Sequence, residues 1–363
     1  MDNLAANQFL AMKRNISILS LLGAFAILFV GAMILSSCEG PAGPQGPPGT
    51  NGTNGTNGVD GTDGTDGVAG NAVCLTCHNL VVKAAITDEY LTSLHGSGAH
   101  TARGSSVGCA KCHAHEGFVE TTWTGRDTTA AAIPIPTVIT CQTCHDFHES
   151  LDFANEPNHA IRTSDEVDLI AGGGPVGFAA NAESNLCMNC HQSRGPAPTD
   201  VKADSILEVP EHFGPHHAPQ ANFINGLVGY EFGVVLGVSG PHEAQASCIT
   251  CHMAETAADT TGGHTWLPGI EACVGCHPGA TDFDINGKVT EIEGLIEDLA
   301  AALTTAGMMV DGEIVEDTMY EADSVGAVWN YILVEEDRSM GIHNPAYAEA
   351  LLTNSIAAID GSK

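Results

Sequence analysis

The spacing of apolar positions changes along the chain, and each change predicts a different kind of structure. From Ile16 to Leu35 the run ISILSLLGAFAILFVGAMIL carries no charge and follows Lys13 and Arg14. That is the pattern of an export signal, a charged start and then an apolar stretch. The run is also long enough to span a bilayer, so length alone leaves a retained helix open. From Gly40 to Gly70 the period is three, with glycine at every third position without a miss. After about Lys288 the period becomes helical. Val289, Ile292, Ile296, Leu299 and Leu303 recur at intervals of three and four and predict a helix to about Gly307. Val325, Val328, Trp329, Ile332 and Leu333 mark a second helix over about 320–336, and Asn344 followed by Pro345 reads as the N-cap and first turn of a third, through about Ala358. Between residues 71 and 280 no period is sustained, so short helices, long irregular connections and little sheet are expected there.

Charge and composition narrow the function. With 44 Asp+Glu against 12 Lys+Arg, the formal charge of −32 repels phosphate backbones and anionic lipid, which excludes nucleic acid as a partner and a polybasic membrane contact. The length of 363 residues allows two or three domains. At 43% hydrophobic the chain is not disordered by composition, yet at 5% aromatic it has few large side chains with which to fill an interior. Thirteen Cys and 17 His exceed what a small core needs, and their spacing decides between disulfides, zinc and covalent haem.

Twelve of the cysteines form six identical C-x-x-C-H units: Cys74, Cys77 and His78; Cys109, Cys112 and His113; Cys141, Cys144 and His145; Cys187, Cys190 and His191; Cys248, Cys251 and His252; Cys273, Cys276 and His277. This spacing attaches c-type haem, because two thiols form thioethers to the porphyrin vinyl groups and the adjacent His binds iron. Zinc ribbons do not require His directly after the second Cys, a thioredoxin-like motif would occur once, and disulfides impose no such regularity. At 17 His in 363 residues, six coincidences in a row are not credible. The expectation is six covalently attached haem c groups. The fold expected is mainly α with extensive irregular structure, a multihaem cytochrome c fold with the haems as core, C-terminal helices and an N-terminal stalk.

Each motif His fills one axial position, and eleven histidines remain for the other: His95, His100, His115, His148, His159, His212, His216, His217, His242, His264 and His343. Several stand in segments that resemble those of known multihaem cytochromes. Ser93-Leu-His95-Gly looks like their S-x-H distal-ligand segment. His145-Asp-Phe-His148 extends the third motif to C-x-x-C-H-x-x-H, similar to cytochromes in which the later His serves a neighbouring haem. Gly214-Pro-His216-His217, with Gly229-Tyr230-Glu231 further on, resembles a recurrent double-His segment in which one ring ligates, His217 being preferred. Gly240-Pro-His242 before Cys248, then Cys251-His252-Met253 and Gly263-His264, resemble the H…CxxCHM…GH pattern of the nitrite reductase, hydroxylamine oxidoreductase and tetrathionate reductase group. Met253 is tethered to the proximal side by its neighbour His252. Gly341-Ile-His343-Asn-Pro-Ala-Tyr347 resembles the GxHNPxY segment of the same group. The resemblance covers residues 71 to the C-terminus and implies His95, His148, His217, His242, His264 and His343 as distal ligands. It leaves His100, His115, His159, His212 and His216 to propionate contacts, ligand orientation or the surface.

Leu35-Ser36-Ser37-Cys38 resembles the lipobox of bacterial lipoproteins, and Cys38, outside the six units, is the expected lipidated residue. Glu39 after it points to the outer membrane of an exporting bacterium. Strict Gly-X-Y is the collagen signature and implies a parallel homotrimer. Rigid φ comes only from Pro41, Pro44, Pro47 and Pro48, so a flexible spacer is the alternative. Asp60, Asp63 and Asp66 share the period, without the clustered ligands of a calcium loop. Fully extended, at ~3.1 Å per residue, the segment reaches on the order of 90 Å. The expected organisation is a signal peptide over 1–37, the lipidated Cys and stalk over 38–70, a hexahaem domain over 71–280, and a C-terminal helical region over 281–363 packing on it.

The function these features imply is a membrane-anchored hexahaem cytochrome transferring electrons outside the cytoplasm through bis-His haems. Its partners would be other cytochromes or redox proteins, or further copies in a filament, and it would have no substrate turnover of its own. The alternative is a multihaem reductase of small nitrogen or sulfur oxyanions with one open haem. Against it stand the absence of a C-x-x-C-Lys motif and the scarcity of Lys and Arg to steer anions.

Overall fold

The structure is a computed structural model that describes residues 74, 75, 77–148, 150, 159–198, 205–234, 236, 241–256 and 260–361, all within one compact unit. The export run, Cys38 and the Gly-X-Y stalk lie outside the described residues. Short helices occupy the first two thirds: α1 (Leu80–Thr92), α2 (Leu94–Ser97), α3 (Ala110–His113), α4 (His115–Thr124), α5 (Cys141–Cys144), α6 (Asn185–Met188), α7 (Gln220–Ile224), α8 (Pro241–Gln245), α9 (Cys248–His252) and α10 (Glu271–Val274). Three long helices follow, α11 (Lys288–Thr305), α12 (Ala322–Asp337) and α13 (Pro345–Ile359). Among the described residues no helix is long and apolar enough to cross a membrane.

The helical spacing near the C-terminus becomes a packed face. Ile292, Ile296, Leu299 and Leu303 of α11 are buried against Leu333 of α12 and Leu351 and Leu352 of α13. Burying each such side chain contributes about 1.5–3 kcal/mol. Asn344 caps α13 by accepting the Tyr347 N–H at 3.3 Å, with Pro345 in the first turn. α12 starts at Ala322 rather than near residue 320, because Thr318–Glu321 form a strand that pairs antiparallel with Ile206–Val209 in the register Leu207 to Tyr320. The partner strand lies more than a hundred residues away, beyond the reach of local periodicity. The other strands are two-residue antiparallel pairs, Val167–Asp168 with Pro175–Val176 and Met309–Val310 with Glu313–Ile314.

Polar contacts lock α12 to the chain at 228–230. Buried Asn330 accepts the Tyr230 N–H at 2.8 Å and donates to the Tyr230 carbonyl at 2.9 Å, and Trp329 Nε1 donates to the Val228 carbonyl at 2.7 Å. Gly326 makes this approach feasible, since a Cβ there would stand 2.1 Å from Tyr230 Cδ1. The N-terminal third is built differently. α1 buries none of its residues, and Leu80, Leu94 and Phe147 are 87%, 83% and 88% exposed. These three lie within two residues of His78, His95 and His148 in sequence, so apolar surface collects at the candidate ligands.

Candidate functional site

One helical turn explains the local form of the C-x-x-C-H units. Residues i and i+3 share a helix face, so the two thiols project together, and the His at i+4 follows on the same side. In five units the His N–H donates to the carbonyl of the first Cys: His78 to Cys74 at 2.8 Å, His113 to Cys109 at 3.1 Å, His145 to Cys141 at 2.8 Å, His191 to Cys187 at 3.0 Å and His277 to Cys273 at 2.8 Å. In the sixth, α9 runs through Cys248–His252 and Ser247 caps it. The third unit is held further by Arg162, which donates to the carbonyls of Gln142 at 2.6 Å, Thr143 at 3.2 Å and His145 at 3.3 Å and pairs with Asp146 at 2.6 Å.

Every motif imidazole faces an imidazole from outside the motifs. Ring centres are 6.2 Å apart for His78 and His148, 6.0 Å for His191 and His95, 6.2 Å for His145 and His264, 6.3 Å for His277 and His242, and 6.2 Å for His252 and His343. His113 has two neighbours, His100 at 6.3 Å and His216 at 6.2 Å. Ordinary ring contacts in the same molecule are closer: 4.9 Å for Tyr230 and Phe232, 5.5 Å for Phe213 and Trp329, 5.6 Å for Phe223 and Tyr347. Two imidazoles on opposite sides of one metal, each with a bond of about 2.0 Å and about 1.1 Å from nitrogen to ring centre, stand about 6.2 Å apart. The pairs therefore have the span of an axial sandwich and not that of packed rings.

Of the six residues singled out in the sequence as second ligands, five stand opposite a motif ring. His217 does not. It is 71% exposed, its Nδ1 meets Glu336 at 2.9 Å, and its ring touches His216 at 5.1 Å. His100 and His216 are the rings near His113. His100, which the sequence reading left to propionate contacts, ligand orientation or the surface, precedes Cys109 by nine residues as His242 precedes Cys248 by six, a local spacing that could have found it. Elsewhere, His115 Nδ1 meets Thr143 Oγ1 at 2.9 Å, His159 Nδ1 meets Glu183 at 2.9 Å, and His212 is exposed beside Glu211.

Partners at Nδ1 orient the paired rings. His145 donates to the His159 carbonyl at 2.7 Å, His252 to the Trp266 carbonyl at 2.9 Å, and His242 to the Ile342 carbonyl. A carbonyl only accepts, so Nδ1 carries a proton in these rings and Nε2 is the nitrogen left to meet a metal. His191 Nδ1 meets the Gln220 side-chain oxygen at 3.1 Å, and Gln220 Nε2 donates in turn to the Asp337 carbonyl at 3.0 Å. His343 donates to the Asp337 carboxylate at 2.8 Å. Residues 337–343, from the last residue of α12 onward, thus support His191, His242 and His343 together. Burial, then the neighbouring His191, holds His95 down to about 4. Burial is also the first cause that lowers His113, His191, His252 and His264. For His343 burial acts in the same direction, but the charge and hydrogen bond of Asp337 outweigh it and raise its pKa. Neutral rings with a free lone pair are the form that binds a metal.

The thiols sit in a matching pattern. Cys112 Sγ donates to the Asn189 carbonyl at 3.9 Å and Cys190 Sγ to the Lys111 carbonyl at 3.7 Å, and the Cys112 and Cys190 thiols interact, as do those of Cys187 and Cys248, which sets the second, fourth and fifth units side by side. Burial, then Cys187 and Cys141, pushes the Cys144 thiol up to about 12. None of the twelve described cysteines is in a disulfide, and among the described residues no three Cys, His, Asp or Glu side chains converge as a zinc site requires. Paired thiols beside an imidazole sandwich, with apolar surface around them, fit haem c.

No protein-family model and no curated protein matches the chain. Two solved structures are similar to it. The outer cell wall cytochrome OcwA aligns with 22% identity and a TM-score of 0.48 over 76% of this chain and 50% of that one. The undecaheme cytochrome from the S-layer of Carboxydothermus ferrireducens aligns with 19% identity and a TM-score of 0.46 over 76% of this chain and 40% of that one. The chain therefore spans half or less of the length of either.

Proposed function

We propose that the chain is a hexahaem c-type cytochrome that passes single electrons between redox partners outside the cytoplasm. The observation that carries this reading is an imidazole opposite every C-x-x-C-H histidine at one narrow spacing, 6.0 to 6.3 Å. The twelve motif thiols would hold the porphyrins. The axial pairs would be His78 with His148, His191 with His95, His145 with His264, His277 with His242, His252 with His343, and His113 with His100 or His216. Haem, when bound, supplies a one-electron ferric–ferrous couple. With an imidazole on each side the iron would have no open position for a small substrate, which suits electron carriage. The Nδ1 partners of His145, His191, His242, His252 and His343 would hold those rings in place, so that a change of oxidation state requires little reorganisation. The thiol contacts Cys112–Cys190 and Cys187–Cys248 support close spacing of the groups that those cysteines attach.

In the same reading Cys38 is lipidated and holds the domain on an outer membrane, and residues 40–70 space it outward as a trimeric or flexible stalk. Cys38→Ala should then move the protein from the membrane to the soluble fraction. Sedimentation with and without residues 40–70 separates trimer from spacer. Low-temperature EPR of the oxidised protein tests the carrier reading. All-low-spin ferric signals are expected, whereas a high-spin signal that shifts with nitrite would favour the oxyanion reductase.

A further inference from the structure

The loop that follows α12 turns back on itself within six residues. Arg338, Met340 and Gly341 adopt positive φ of 59°, 49° and 79°, and the reversal sets His343 beneath Asp337, the last residue of the helix. A left-handed backbone at two residues other than glycine is strained and persists only where the surroundings impose it. Here the surroundings are a closed set of hydrogen bonds. Asp337 Oδ1 accepts from His343 Nδ1 at 2.8 Å, Oδ2 accepts from the Ser339 hydroxyl, and the Ser339 oxygen accepts the His343 N–H at 3.2 Å. The Asp337 side chain is fully buried.

This partner differs from those of His145, His252, His242 and His191. His145, His252 and His242 donate Nδ1–H to main-chain carbonyls, and His191 meets a neutral side-chain amide. His264 Nδ1 is 3.9 Å from Glu89, too far for a hydrogen bond. His217 meets a carboxylate, but in solvent and not opposite a motif ring. A carboxylate on Nδ1 makes imidazole a stronger electron donor at Nε2, and a buried anion close by favours the more positive oxidation state of a metal. Both effects have the same sign.

We propose that Asp337 is a positioning residue that lowers the reduction potential of the His252/His343 centre relative to centres whose rings lean on neutral acceptors. The inference rests on the hexahaem reading above. Ser339 tempers it, because the hydroxyl draws charge from the carboxylate that His343 shares.

EPR-monitored potentiometry of the full haem-loaded protein, with Asp337→Asn and Ser339→Ala beside the parent, tests it. Asp337→Asn keeps the shape and removes the charge. It should raise the midpoint of one centre by at least a tenfold change in ferric preference, about 59 mV for one electron, and leave the others in place. Ser339→Ala should move the same centre the opposite way. Both variants shifting in one direction, or neither shifting, with six haems still present by pyridine haemochrome, overturns the role of Asp337. If Asp337→Asn does not fold, Ser339→Ala decides alone, a downward shift supporting the proposal and no shift or an upward one overturning it. A parent protein without covalent haem overturns instead the reading on which the inference rests.

Discussion

Replacing His100, His216 and His217 by alanine one at a time separates the three imidazoles gathered near His113. The His113 ring is 6.3 Å from that of His100 and 6.2 Å from that of His216, both inclined by 76°, and His217 stands behind His216 at 5.1 Å. A haem iron takes one axial ligand on each side, so His113 leaves room for a single partner. The span of about 6.2 Å expected for two imidazoles on one metal is met by both neighbours, so distance does not choose between them. One of the two variants should therefore open the second centre and the other should leave it closed. With six motif histidines in the chain, opening one converts about one sixth of the iron from low-spin to high-spin ferric. Quantitative EPR reads that fraction, and titration with cyanide should find one new binding equivalent per chain. His217→Ala should leave all centres low-spin, because Glu336 and not a motif ring holds it. Opening in both His100→Ala and His216→Ala, in neither, or in His217→Ala would refute the sandwich geometry at this centre.

Two further substitutions probe the scaffold. Gly326→Ala would press a methyl into Tyr230, 2.1 Å from its ring, and should cost about 1–3 kcal/mol, read as a lower denaturation midpoint; an unchanged midpoint would mean that α12 does not pack there. Arg162→Ala should cost about 1–3 kcal/mol by stranding the carbonyls of Gln142, Thr143 and His145. Arg162→Lys should not restore it, since an ammonium lacks the flat fork that reaches all three, and full recovery in urea titrations would contradict this role.

The parts legible in the sequence were those set by neighbours along the chain. Ile292, Ile296, Leu299 and Leu303 lie on one face because helical period alone decides it, and the Asn344–Pro345 start of α13 follows from two adjacent residues. The six C-x-x-C-H units were plain for the same reason, since one turn of helix contains each. Which rings meet across the fold was harder, because the pairs join residues as far apart as His145 and His264. The double-His segment suggested His217, yet the positive φ of 71° at His216 turns that ring toward His113 and leaves His217 to Glu336. Backbone reversal of this kind has no signature in a residue that is not glycine. The supports on Nδ1 were not legible at all: Gln220, Trp266 and Asp337 are unremarkable in sequence and acquire a role only once α12 and its following loop are packed. The strand at Thr318–Glu321 escaped for a similar reason, its partner Ile206–Val209 being remote.

The twelve paired thiols are bonded to porphyrin in this reading, and the intact mass of the haem-loaded Cys38→Ala protein, which carries no lipid, measures this directly. It should exceed the polypeptide mass by six haems, with no motif thiol left for alkylation. Twelve alkylatable thiols at the bare polypeptide mass, or a mass increment that zinc accounts for, would contradict the account.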